Sequence, residues 1–122
     1  MATLVRPPMK ATRVLLVLEA LAFAAAALVH SGAIPRSNAH HRAAIAESVI
    51  AVILLGGWAL TFLSFNVAQG AAVTVQALAL FCTIVGMVAT VIGIGPQTIP
   101  DTVFQLAMLL VLISGLIAFA RA

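Results

Sequence analysis

The chain has 122 residues, of which 64% are hydrophobic and 7% charged. A soluble domain carries roughly 45–50% and about 25%, so these residues could not cover a water-facing fold, and a disordered chain would leave too much apolar surface in water. The net charge of +3 comes from six Lys and Arg against three Asp and Glu. These charges are scattered, not gathered into the basic patch of a nucleic-acid binder, and the single cysteine, Cys82, excludes an internal disulfide and a CxxC redox motif.

Four apolar stretches follow one another, at about residues 14–34, 43–65, 71–94 and 102–120. Each is close to the roughly 20 residues with which a helix crosses about 30 Å of hydrocarbon. Barrel strands would alternate apolar and polar residues, and these runs are continuously apolar. The basic start and Ala-rich core of the first stretch fit a signal peptide. Glu19 inside that core argues against it, and the stretch is read as a membrane-spanning helix.

The connections are short. Gly32, Pro35 and Asn38 mark the first, and residues 66–70 are expected to form the second as a tight, uncharged turn. Gly93, Gly95 and Pro96 end the third helix, and Pro100 and Asp101 open the fourth. Thr98 and Asp101 have capping-box spacing, with Asp in place of the usual Glu. Short links make neighbouring helices antiparallel. The expected fold is all-α, one domain, an up-down four-helix transmembrane bundle. Arg6, Lys10, Arg13 and Arg121 flank one side of the membrane, and Arg36 and Arg42 the other. That bias orients both termini toward the cytoplasm, in the inner membrane of a bacterium.

Ionisable residues within a membrane are costly and therefore candidates for function. In helix one, Glu19 and His30 are close to three turns apart and share a face with Ala22, Phe23 and Ala26. In helix two, His40 precedes Glu47 by two turns, and Leu54 and Trp58 continue that face. Helix three carries a thin polar stripe, Gln76, Thr83 and Thr90. Asp101 and Gln105 are one turn apart in helix four. Ordered by depth in antiparallel helices, these residues form two groups. His30, His40, His41, Glu47, Asp101 and Gln105 make an outer polar cluster. Glu19 and Gln76 make an inner pair.

Three readings of these groups compete. The outer cluster can be structural, with Glu47, His30 and Gln105 hydrogen-bonding one another to fix helix register. It can hold a metal, with His30, His40 or His41, and Glu47 as ligands, or a haem with one axial histidine from helix one and one from the first loop. No HxxxH or ExxH pair supports either. Thirdly, a glutamate in lipid is disfavoured as an anion, so Glu19 can bind and release protons as a coupled transporter requires. The bland alternative for Glu19 is that it reaches the interface near Arg13. Carboxylate plus histidine would also suit acid–base catalysis, but nothing in the spacing selects an enzyme. Met87, Met108 and Cys82 read as core fillers. Cys82, Gly86 and Thr90 form a small-residue seam that favours close helix packing, either within the bundle or with a partner.

The runs Glu47-Ser48-Val49-Ile50-Ala51 through Gly56-Gly57 and Gly93-Ile94-Gly95-Pro96-Gln97-Thr98-Ile99-Pro100-Asp101 resemble small uncharacterised four-helix membrane proteins of bacteria, a resemblance that covers most of the chain and implies no activity. Four helices, the length and a glutamate in the first helix are also similar to the small multidrug resistance transporters. That similarity implies alternate binding of protons and cationic drug at Glu19 in an antiparallel dimer. The absence of tyrosine, the second glutamate and the outer polar cluster depart from it. The expected role is a non-catalytic accessory subunit or binding module in the bilayer, in contact with membrane lipid and able to join a homo-oligomer or a larger membrane complex. The alternatives are a proton-coupled transporter using Glu19, and a metal- or haem-binding protein using His30 and Glu47. No cofactor is expected under the first reading.

Overall fold

The computed structural model describes residues 9–32, 40–94 and 98–121. Arg6, Pro35, Arg36, Asn38, Gly95, Pro96 and Gln97, which the sequence singles out, lie outside the described residues. Four helices follow in order, α1 Met9–His30, α2 His41–Leu60, α3 Phe65–Val91 and α4 Ile99–Ala120. All four are long and apolar enough to cross a membrane, and among the described residues there is no strand. The chain is an up-down transmembrane four-helix bundle.

Local chemistry sets the helix ends. His40, Ser64 and Thr98 are the N-caps of α2, α3 and α4, and each side chain accepts a backbone N–H of the first turn. Gly93 takes φ 87° just past α3. Ile94 N–H donates to the Ala89 carbonyl at 2.8 Å and Gly93 N–H to that of Thr90 at 3.1 Å. These two bonds are a Schellman ending, which needs the left-handed conformation glycine adopts without strain. Gly32, at φ 86°, donates its N–H to the Val29 carbonyl at 3.2 Å after α1.

The link between α2 and α3 differs from expectation. The chain reverses at residues 61–64, and residues 66–70 are already helical. Asn66 and Gly70 carry turn propensity, but Ser64 caps the helix ahead of them and Ala68 is buried in the bundle. Capping and packing outweigh the few tenths to one kcal/mol, roughly, of intrinsic preference per residue.

Each helix packs on the next in sequence, and α1 returns to α4 through a thinner contact. Side-chain bonds fix which ends meet. Arg13 near the start of α1 reaches Thr61 after α2, and the Gln69 amide near the start of α3 donates to the Phe119 carbonyl late in α4. The chain termini therefore share one end of the bundle, called proximal below. Leu16, Leu54, Ala79 and Leu112, one from each helix, are fully buried at the centre. Leu110, Val52 and Phe81 are exposed, as lipid-facing positions are in a bundle whose backbone satisfies itself. At the proximal end α2 and α3 touch closely: a Cβ on Gly57 would run into the side chain of Val75.

Candidate functional site

The distal end gathers three ionisable groups from three helices. His30 is the last residue of α1 and lies on the same buried face as Glu19 and Phe23. Its Nδ1 is 2.6 Å from Glu47 Oε1 of α2, and its Nε2 is 2.7 Å from Asp101 Oδ1 of α4. The three side chains are 5%, 12% and 13% exposed, respectively. Asp101 also sits in the first turn of α4, where the helix dipole favours an anion. Its other oxygen accepts a hydrogen bond from the Thr98 hydroxyl. The pair has capping-box spacing, but the Asp carboxylate meets the cap's hydroxyl here. With both ring nitrogens facing carboxylate oxygens, His30 donates both bonds only as an imidazolium. With one proton fewer, one of the two carboxyls must donate instead.

The remaining members of the expected cluster are near this triad but outside it. His40 Nδ1 accepts the Ala43 N–H at 3.3 Å, so Nε2 carries the proton and donates to the Ile94 carbonyl at 3.1 Å. The His40 backbone N–H donates to the His30 carbonyl at 2.6 Å. His40 thus ties the start of α2 to the ends of α1 and α3. Gln105 Nε2 donates to Thr90 Oγ1 at 3.1 Å, joining α4 to α3 and not to His30. His41 is exposed. The candidate ligand set of His30, His40 and Glu47 is not assembled, because both ring nitrogens of each histidine are already engaged. Among the described residues no group of three or more His, Cys, Asp or Glu is placed to hold a metal ion.

Beside the triad lies a cavity of about 430 Å³. Ala43, Ala46 and Ile50 of α2 form one wall, and Cys82, Gly86 and Ala89 of α3 the other. Its floor is made by Phe23, Phe104 and Met108, with the two phenylalanine rings edge-to-face at 5.7 Å. Helices α2 and α3 meet proximally at Gly57 and Val75 and distally through His40 and Ile94. Between those points they part, and the gap is flanked by exposed Val49, Phe81 and Val85. Arg42 and Glu47 line the distal part of the cavity. Within the bundle, the seam does not draw a neighbouring helix close at Gly86. Nothing lies within 4 Å of where a Gly86 Cβ would be. Small residues on both sides leave space where large ones would have closed it.

The inner pair is joined directly. Gln76 Nε2 donates to Glu19 Oε2 at 2.7 Å and to the Leu112 carbonyl at 3.3 Å. Glu19 is buried and bonded to Gln76, not to Arg13. Because α1 begins at Met9, Glu19 is ten residues along it, roughly 15 Å of helix. Arg13 is committed elsewhere, donating from Nη2 to the Thr61 carbonyl at 2.8 Å with its guanidinium 4.2 Å from the Phe62 ring centroid. Neither this clamp nor the Leu112 carbonyl has a signal in the sequence, since each depends on how two helices face. The cavity does not reach Glu19.

No family model, curated protein or solved structure matches the chain.

Proposed function

We propose that the chain is a binding module within the bilayer that holds an acyl chain of a membrane lipid between α2 and α3, with no catalysis of its own. The supporting observation is the cavity: about 430 Å³, in the size range of small-molecule sites and, like them, mostly apolar with a few polar groups at one end. It is flanked by exposed valine and phenylalanine at hydrocarbon depth, so a lipid tail is the molecule at hand to fill it. Arg42 at the distal rim is exposed at headgroup depth, where it complements a lipid phosphate.

The experiment is photo-labelling of reconstituted protein with a phospholipid bearing a diazirine on its acyl chain. Gly86→Leu is the occluded control. Nothing lies within 4 Å of the Cβ this variant adds, and labelling of the cavity walls falls several-fold. Unchanged wall labelling in that variant would refute the reading.

We propose further that both termini face the cytoplasm of a bacterial inner membrane. The support is the placement of Lys10, Arg13 and Arg121 at the proximal end, against Arg42 at the distal end. In a Cys82→Ala background, a cysteine at Ser31 should react with an impermeant maleimide added outside intact cells, and a cysteine at Ser64 should not. The reverse pattern would invert the topology.

A further inference from the structure

We propose that Glu19 and Gln76 form a proton-binding site in the core of the bundle, in which Glu19 is a carboxylic acid whose hydrogen is donated to the side-chain oxygen of Gln76. The inference starts from donor counting. Glu19 and Gln76 are 1% and 0% exposed. The two hydrogens of the Gln76 amide nitrogen are spent on Glu19 Oε2 and the Leu112 carbonyl. Two acceptors are left with no partner, Glu19 Oε1 and Gln76 Oε1. Buried polar atoms are nearly always bonded, and two unbonded oxygens in one pair have a single economical remedy. One hydrogen on Glu19 turns its spare oxygen into a donor, and the Gln76 oxygen is the unpartnered acceptor of the same pair. The existing N–H···O bond already sets acid and amide side by side, so the second bond closes a ring of the kind acids and amides form.

Other remedies fit less well. A carboxylate in an apolar interior needs a paired cation. Among the described residues no hydrogen bond or ion pair joins Glu19 to a Lys, Arg or His, and Arg13, the nearest cation along its helix, is held by Thr61. Space is also short. Gly115 of α4 packs so closely that a Cβ there would strike the Gln76 amide and come within 3.1 Å of Leu15. The site therefore takes a proton in preference to a metal ion. Loss of that proton would leave an anion among apolar side chains, so release requires α1, α3 and α4 to part enough for water to enter. This site is separate from the lipid cavity, and neither reading depends on the other.

The small number of acids makes the test legible, because Glu19, Glu47 and Asp101 are the only three. Infrared spectra of protein labelled with ¹³C-glutamate, recorded at neutral pH, should show a protonated-carboxyl band that shifts with the label. The band should persist in Glu47→Gln, where Glu19 is the remaining glutamate, and vanish when Glu19→Gln is added to that variant. Its absence from Glu47→Gln would overturn the proposal, and this variant decides the question even if Glu19→Gln fails to fold. Thermal unfolding in detergent gives an independent readout. Glu19→Gln should match the wild type within a few degrees, because an amide N–H replaces the acid O–H, whereas Glu19→Ala should unfold well below both. Replacing Na⁺ and K⁺ by an organic cation should change nothing. A Glu19→Gln as unstable as Glu19→Ala, or a requirement for an inorganic cation, would contradict the assignment.

Discussion

His30→Ala is expected to destabilise the bundle by about 3 kcal/mol, the lower end of what breaking a buried ion pair costs. Among the described residues, the imidazole is the group that joins Glu47 to Asp101, at 2.6 and 2.7 Å from their oxygens. Removing it does more than delete two hydrogen bonds. It leaves two carboxylates facing a cavity the ring had filled, with no cation between them. Both carboxyls retain some exposure, which is why the lower end of the range applies. The mechanism is checked by a second substitution. Glu47→Gln on its own should weaken the triad, but in the His30→Ala background it should recover part of the loss, because it removes one of the two unpaired charges. Unfolding of the four proteins in mixed micelles gives the comparison. Additive losses would mean that the triad is not a coupled unit.

Gly57→Ala should cost about 1–3 kcal/mol, the usual range for overpacking, although it adds one methyl group. That methyl would collide with both γ-methyls of Val75 and lie 3.0 Å from its Cβ. A flexible side chain could swing aside, but valine is branched at Cβ and held to few rotamers in a helix. The helices must then move apart where α2 and α3 make their proximal contact. Val75→Ala leaves a small void in the wild type and makes room in the variant. The double variant should therefore be more stable than Gly57→Ala alone. Gly56→Ala, one residue away with nothing within 4 Å, is the control and should be neutral. If both glycine variants behaved alike, the contact would not be as close as described.

These features explain why a cavity persists in so small a bundle. The triad ties the distal ends of α1, α2 and α4. Helix α3 is absent from it, and is held there by His40 on Ile94 and by Gln105 on Thr90. Proximally, Gly57 lets α3 come into close contact with α2. Two contacts pin α2 and α3 at their ends, and small side chains at Ala43, Ala46, Cys82 and Gly86 leave the middle unfilled. A dry apolar void is costly in proportion to its size, and one open to lipid is relieved by a lipid chain.

The helix count and topology were legible because continuous apolar runs of spanning length admit one solution in a bilayer. The depth ordering of polar residues was legible for the same reason. Antiparallel helices of known length place Glu19 level with Gln76, and His30 level with Glu47 and Asp101. The rest depends on rotation about helix axes, which a weakly amphipathic sequence does not encode. Gln105 and Asp101 are one turn apart, yet only Asp101 turns to His30. His40 was legible as a neighbour of the cluster but not as the cap of α2, a role that occupies its Nδ1 while the Ile94 carbonyl occupies its Nε2. The turn at residues 66–70 was misplaced because Asn and Gly propensity was weighed without the Ser64 cap. Small residues at Cys82 and Gly86 permit a close approach without compelling one, and within the bundle no helix takes it up at Gly86.

The most direct measurement of the central claim is the residue-level map of the acyl-chain photo-label on the wild-type protein in lipid. Ile50 and Met108, which are 4% and 7% exposed and can meet a lipid tail only from within the cavity, should be modified. Gly86→Leu should remove those adducts and spare those on exposed Leu110. Label confined to the exposed outer surface, with Ile50 and Met108 untouched, would contradict the claim.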